Sequence, residues 1–565
     1  MRLMKKKQFI PSWTEDAPPK ASYRSIFKWG DPKGFKHPSD RLYAMLKEVF
    51  QLSDNDFRKK TDEGLDTVQC TVPIGLSDAQ IDALTRIAGP ENISTTAYDR
   101  VKFSNGKTTE EAMRLRQGDT GRVADLVVHP RSREDVRQIV AYCHQERIPI
   151  YPFGGGSSVN FDVRCDKGGI SLVLSTHMNK VLSVNGLNQT ATVEAGIMGP
   201  AYEAILNRAG EIYHTPHDYT CGHFPQSFEF STVGGWIAAL GSGQQSTYYG
   251  DACDIVISQE YVTPTGSFKT LDYPGTATGP KVHDIMKGSE GTFGILVSAT
   301  LKIFRHMPKH RKRFGFMFPS WEDAVNASRE ISQGEFGLPG VYRISDSEET
   351  ETGLKLYGIH GTLVEKFITK RGYEPGKRCL CIGTTEGAPS YSKTVLKHIK
   401  KIARQYGAMN LTGYAAQKWE HSRYKDPYLR EDLNDYGIII DTLESGVTWD
   451  NLHRLHEGVR KYIKARPGTV CMTHASHFYP QGTNLYFIFF GKFSSLDDYI
   501  LFHKGIIAAI QEYGGSLSHH HGVGKMIGPF MESHLGKEQM DVLRALKRHF
   551  DPHNIMNPGG TLGLD

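Results

Sequence analysis

The chain has 565 residues, 39% hydrophobic and 23% charged, with 67 basic against 62 acidic side chains and a net charge of +5. That length is ample for a large apolar core and too long for one compact domain. The small positive excess argues against a nucleic-acid protein, and no run of about 18 apolar residues is present to cross a membrane. The eight cysteines lack CxxC pairing and read as reduced thiols of an intracellular, cytoplasmic protein. The start, MRLMKKKQFIPSW, is basic but lacks the apolar stretch of a signal peptide. Lys5, Lys6 and Lys7 read as a solvated tail.

Residues 1–121 are expected to form an N-terminal extension. Within it SDRLYAMLKEVFQL (39–52) predicts a helix, with Leu42, Leu46, Val49 and Phe50 at helical spacing behind a Ser/Asp start. Residues 122–306 form the next unit. It opens strand, helix, strand with ADLVVHP, SREDVRQIVAYCHQER and IPIYPF, and a glycine loop follows at once. Strands GISLVLS, ATVEAG and IVISQEYVTPTG come next, and after GSEGTFGILVSATLKIF the basic RHMPKHRKRFG marks a boundary. A second unit, 307–505, carries helices SWEDAVNASREIS and SKTVLKHIKKIARQYG and strands YGIIIDT and NLYFIFF. Residues 506–565 run through SLSHHHGVGK to DPHNIMNPGG. The alternation predicts an α+β protein of two main domains plus the extension.

The glycine loops carry the first functional signal. After Pro152 and Phe153, the residues Gly154, Gly155 and Gly156 let backbone approach a ligand, and their N–H groups can converge on an anion. Ser157 and Ser158 add hydroxyls. Alone, this loop reads first as a plain flexible turn, and its spacing is neither GxGxxG nor GxxxxGK[ST]. Three more loops follow. The first is Gln226, Ser227, Phe228, Glu229, Phe230, Ser231 and Thr232 with a glycine pair behind them. The second is Ala239, Leu240, Gly241 and Ser242, and the third is Glu290, Gly291, Thr292, Phe293, Gly294, Ile295 and Leu296. Four such loops in this order exceed ordinary punctuation. They resemble the PCMH-type flavin-binding domain of the vanillyl-alcohol-oxidase family. That resemblance implies FAD, its pyrophosphate wrapped by the first loop and its adenine, ribose and isoalloxazine lined by the others. No histidine lies between Tyr151 and Asp162, which excludes covalent attachment there. His217 and His223 remain formally available, and non-covalent FAD is expected.

The second signal is Ser518-His519-His520-His521-Gly522-Val523-Gly524-Lys525. Three adjacent histidines suit proton transfer or anion binding; a metal site and a structural cluster are the rivals. In an extended strand His519 and His521 share a face while His520 points away, and no carboxylate lies near in sequence, so no metal is expected. Upstream, a hairpin loop at 480–483 pairs Tyr479 with Asn484 and sets His477 opposite Tyr486. That makes a proton-handling pair, or simply an amphipathic hairpin with a core tyrosine.

GGSLSHHHGVGK, the upstream Leu485-Tyr486-Phe487, the PYLR run ending at Arg430 and the VYR segment at Arg343 together resemble the alkylglycerone-phosphate synthase (alkyldihydroxyacetonephosphate synthase) family. The chain departs from it at His474, where eukaryotic members carry arginine, and in lacking a peroxisomal ending. The resemblance implies that Tyr486 is proton donor and acceptor at the substrate carbon. His519, His520 and His521 then form a polar wall that handles protons. Arg430 binds phosphate or the leaving carboxylate, Arg343 sits against the flavin–substrate region, and His477 joins the substrate site. In the implied ether-lipid reaction, acyl-dihydroxyacetone phosphate loses a C1 proton, forms an adduct with flavin N5 and exchanges its fatty acid for a fatty alcohol. A Tyr486 pKa lowered by the histidines is expected. The alternative is an FAD-linked oxidase or dehydrogenase of a 2-hydroxy acid; a flavin-fold binding module without catalysis is the third reading. A homodimer is expected, with no nucleic-acid partner and with peripheral membrane contact through basic patches in 1–60 or 305–313.

Overall fold

The computed structural model describes residues 13–58 and 60–565; Lys5, Lys6 and Lys7 lie outside the described residues. In the first unit the helix Arg133–Glu146 is capped by Ser132, which accepts from Asp135 N. It buries Val136, Ile139, Val140 and Cys143, the i, i+3, i+4, i+7 stripe that a helix needs to lie on a sheet. The strands on either side of it, Leu126–Val128 and Ile150–Phe153, do not touch each other. Ile170–Val173 inserts between them, parallel to both. A five-stranded antiparallel sheet follows, in the order Val181–Asn185, Thr190–Glu194, Ile295–Lys302, Val256–Thr263, Gly266–Lys269. Both sheets share one core. The glycine loop leaves the carboxyl end of Ile150–Phe153, where ligands of parallel sheets gather.

The second unit is a seven-stranded antiparallel sheet. Its order is Met409–Leu411, Lys312–Phe318, Cys379–Thr385, Val341–Ser345, Val470–Tyr479, Gly482–Gly491, Ile439–Thr448. Strand alternation sorts its two faces. Cys471, Leu485, Phe487, Phe489, Ile439 and Leu443 enter a core with the helices Leu452–Ala465 and Leu496–Glu512. The residues between them, including His474, Tyr486, Thr442 and Glu444, point to the opposite face. The helix Leu496–Glu512 runs through the boundary expected at 505/506, because its apolar stripe Tyr499, Phe502, Ile506, Ile507, Ile510 belongs to this core. Beyond it the chain returns to the first core through Met540, Phe550, Ile555 and Met556. Ile150 N donates to Ile555 O at 2.7 Å.

The helix expected at 39–52 forms as Asp40–Phe50. Leu42 and Leu46 pack with Leu433, Tyr436 and Phe490 of the second unit. Arg24 and Arg116 both pair with Asp435, at 2.8 and 2.7 Å, and Lys28 with Glu431 at 2.9 Å, all buried. Opposed charges this deep hold only while paired, so the extension is stitched to the second unit. No helix is long and apolar enough to cross a membrane among the described residues.

Candidate active site

The glycine loop packs edge-on against residues 230–232. A Cβ on Gly154 would stand 2.5 Å from Thr232 Oγ1, and one on Gly155 would overlap the Phe230 carbonyl oxygen. Gly156 turns at φ +68° against the Phe153 ring. Thr232 caps the helix Val233–Ala238 by accepting from Gly235 N, and Gly291 folds onto Pro152 at φ +74°. Gly288, just ahead of Glu290, lies against Leu240, so the four loops meet at one place. The backbone N–H groups of Gly154 through Ser158 have no acceptor among the described residues, which leaves a nest of donors for an anion. Both nitrogens of the fully buried His223 also lack partners among the described residues. Open donors in a cradle that no Cβ can enter fit a dinucleotide pyrophosphate.

Not every loop residue points at that cradle. Phe228 stacks among Phe224, Trp236 and Tyr424, and Phe293, Ile295 and Leu296 put their side chains into the first core. Glu229 is exposed, and Gln226 donates to the Arg423 carbonyl. The His223 ring lies tilted against Trp236, centroids 4.7 Å apart, and burial lowers its pKa to about 4.

Across from the cradle, Glu444 organises the histidine triplet. Its carboxylate accepts the backbone N–H groups of His519, His520 and His521 at 2.6, 3.1 and 2.9 Å, and the Ser518 hydroxyl at 2.8 Å. Burial opposes its charge, yet His521, His519 and those N–H bonds hold its pKa below the usual carboxylate range. The extended strand expected at 518–521 is therefore wrong. The segment curls so that three successive N–H groups reach one carboxylate, and His520 does not point away. Its Nδ1 lies 3.0 Å from His519 Nδ1. Glu444, His519 and His520 bring ligand-type atoms within 4.8 Å. With four donors already on Glu444 and the two imidazoles bonded to each other, this is a hydrogen-bonded cluster.

The hairpin register also differs from expectation. Tyr479 pairs with Gly482, so the turn is two residues, and a bulge at His477 shifts the ladder. His474, not His477, faces Tyr486. His477 takes φ +57°, which turns its ring toward the triplet, 5.3 Å from His519 and 5.0 Å from His520. Its Nδ1 lies 2.7 Å from Ser246 Oγ.

Tyr486 stacks on His474 at 5.0 Å and on His520 at 6.0 Å, with His521 edge-on at 5.6 Å. Its hydroxyl donates to Thr442 Oγ1 at 3.1 Å. The expected lowering of its pKa is reversed. Burial pushes it up to about 12, while burial and the other imidazoles hold His520 well below the ordinary histidine value. Both groups are thus neutral, and neither brings a buried charge to the site beforehand. Arg343 is paired with Glu349, whose carboxylate also lies 3.3 Å from His474 Nδ1. Arg430 sits half-buried on the helix Asp426–Asn434 and makes no ion pair among the described residues.

Residues 124–272 match the family "FAD binding domain", and residues 307–561 match "FAD linked oxidases, C-terminal domain". An alkyldihydroxyacetonephosphate synthase of Dictyostelium discoideum is 33% identical over 489 residues, covering 83% of this chain and 78% of that protein. The chain belongs to the alkyldihydroxyacetonephosphate synthase family. The Trypanosoma brucei brucei synthase is 27% identical over 93% of this chain and 88% of its own. A solved alkyldihydroxyacetonephosphate synthase superposes with TM-score 0.79 at 28% identity, over 95% of this chain and 99% of that one. As a member of this synthase family the chain is an FAD-dependent enzyme, and the cradle at 154–158 is the place whose open donors suit that cofactor.

One consequence for stability follows from the seam behind the cradle. Glu290 accepts the N–H groups of Val523 and Gly524. Burial first, and Asp162 second, raise its pKa to about 8. A carboxyl raised on folding stabilises most below its unfolded pKa, and that contribution is lost as pH climbs toward the folded value. The melting temperature is expected to fall between about pH 5 and pH 8, and Glu290→Gln to flatten that fall. Thermal scans of both proteins across this range check it; parallel curves would refute the assignment.

Proposed function

We propose that this chain replaces the acyl group of acyl-dihydroxyacetone phosphate by a fatty alcohol, forming the ether bond of an alkyl glycerone phosphate. The observation that carries this reading is the meeting of Tyr486 with His474, His520 and His521 on the sheet face opposite the helical core. A neutral phenol beside neutral imidazoles suits removal and return of a carbon-bound proton next to a ketone. FAD, when bound, would supply an electrophilic centre for the substrate carbon. Residues 122–306 hold it, with Gly154 to Ser158 on the pyrophosphate. Tyr486 moves the C1 proton with the triplet beside it. Arg430, whose guanidinium makes no ion pair among the described residues, binds phosphate or the departing carboxylate.

Peripheral membrane contact belongs to the same reading. The helix Leu363–Lys370 holds Leu363, Val364 and Phe367 82, 57 and 53% exposed. Lys366 and Lys370 lie on the same helix, a composition suited to an anionic lipid surface. This surface lies outside the patches expected at 1–60 and 305–313.

The test is anaerobic incubation of the FAD-loaded protein with acyl-dihydroxyacetone phosphate and labelled fatty alcohol. Label in an ether product supports the proposal. Absence of ether product, together with reduction of an electron acceptor by a 2-hydroxy acid, would favour the oxidoreductase instead. Arg430→Lys is expected to lower kcat/KM by about tenfold or more, since lysine keeps the charge but loses the planar two-pronged contact. Unchanged kinetics would assign Arg430 to the surface.

A further inference from the structure

A line of hydrogen bonds runs away from the triplet, using residues that the reaction just proposed does not employ. Tyr479 OH bonds to Asp251 Oδ2. The Tyr479 hydroxyl oxygen also lies 2.8 Å from His519 Nε2, and His519 Nδ1 lies 3.0 Å from His520 Nδ1. Asp251 belongs to the flavin-binding unit, Tyr479 ends the strand Val470–Tyr479, and the histidines lie in the C-terminal segment. Three parts of the chain thus converge on four side chains.

The donors and acceptors in this line can be ordered from one end. A carboxylate only accepts, and Asp251 stays ionised: burial opposes this, but His477 and the bonds it accepts hold its pKa below the usual value. Tyr479 must therefore give its single proton to Asp251. Burial and Asp251 raise the Tyr479 pKa, so the phenol keeps that proton. Its oxygen then has only lone pairs for His519, whose Nε2 must carry a hydrogen. In the contact between the two Nδ1 atoms the hydrogen is assigned to His520, whose Nδ1 also faces a carboxylate oxygen, and His519 Nδ1 accepts it. Glu444 Oε2, 3.7 Å from His520 Nδ1, faces the same N–H with a second acceptor. In a neutral His520 with hydrogen on Nδ1, Nε2 is the lone pair.

We propose that Asp251 and Tyr479 are positioning residues which, through His519, hold His520 as its Nδ1–H tautomer and leave His520 Nε2 as the free basic nitrogen of the site. This rests on the reading that the site moves a substrate proton. It adds which imidazole receives that proton and what keeps it ready. Tyr486 stacks on the ring so held.

The test uses FAD-loaded protein labelled with ring-15N histidine and two-bond 1H–15N correlation spectra, in which each neutral tautomer has its own pattern. His520→Gln assigns the His520 signals by their disappearance. The wild type is expected to show His520 with hydrogen on Nδ1. Tyr479→Phe keeps the ring but removes the acceptor for His519, and should shift His520 toward the other tautomer. It should also slow solvent exchange of the acyl-dihydroxyacetone phosphate C1 hydrogen about a hundredfold. Asp251→Asn, whose amide can donate to Tyr479, should produce the same spectral change and serves if the tyrosine variant fails to fold. A wild-type His520 with hydrogen on Nε2, or a tautomer indifferent to both variants, overturns the proposal. If the tautomer responds but the wild type exchanges no C1 hydrogen, the proposed reaction fails while the positioning line stands.

Discussion

Tyr486→Phe is expected to abolish exchange of the substrate's C1 hydrogen with solvent while the protein stays folded and yellow. The substitution removes one hydroxyl, whose hydrogen bond goes to Thr442 Oγ1. The phenylalanine ring retains the stack on His474. Losing one such bond costs about 0.5–1.5 kcal/mol, small against the roughly 5–15 kcal/mol that keeps a domain folded. The chemical cost is of another order, since a positioned acid–base group is worth about a hundred- to ten-thousandfold. With its pKa raised to about 12, Tyr486 is a phenol at neutral pH and serves as proton carrier only with an acceptor at hand. Single substitutions of His519, His520 and His521 should therefore cost unequally, His520 most. NMR of substrate exchange, with flavin absorbance recorded in parallel, reads both expectations. Exchange at the wild-type rate in the phenylalanine variant would make Tyr486 a packing residue.

What could be read from the sequence and what could not divide by the range of the interaction. The helix Arg133–Glu146 and the helix Asp40–Phe50 were legible because a capping serine and an apolar stripe are local. The four glycine loops were legible for the same reason, although their meeting point is not. The insertion of Ile170–Val173 between two earlier strands was invisible, since parallel pairing has no local signal. The hairpin failed by its turn. A two-residue loop and a bulge at His477 replaced a four-residue loop, and such a shift exchanges which side chains share a face. That is why His474 took the place expected for His477 beside Tyr486. Glu444 went unnoticed because a lone carboxylate in an alternating strand reads as solvent-facing. Its partners are backbone N–H groups 75 to 77 positions further on. Asp251 and Tyr479 are 228 positions apart, and neither signals the other.

Gly155→Val is expected to give a colourless protein that added FAD does not turn yellow. Its φ is ordinary, so the objection to a side chain is space. A Cβ would overlap the Phe230 carbonyl oxygen and stand 3.0 Å from Ser231 Cα. These are backbone atoms and have no rotamer to move into. Gly156 differs, because its nearest obstacle is the Phe153 ring, which can tilt. Relief at Gly155 must come from shifting one loop off the other, and that disperses the N–H groups of Gly154 to Ser158 on which the pyrophosphate would rest. Even Gly155→Ala should lose most of the flavin, since the clash begins at Cβ. Gly353→Ala is the control: it lies inside the helix Ser347–Leu356 with nothing within 4 Å of its added Cβ. It should bind FAD fully and gain up to about 1 kcal/mol from helix propensity. Binding also stabilises, by about 2.7 kcal/mol when free ligand stands at a hundred times Kd. Added FAD should therefore raise the Tm of the wild type and of Gly353→Ala and leave that of the Gly155 variants unmoved. Visible absorbance per protein and thermal scans with and without FAD give the answer. A Gly155→Ala protein that carries stoichiometric flavin would show that the cofactor does not rest on this loop.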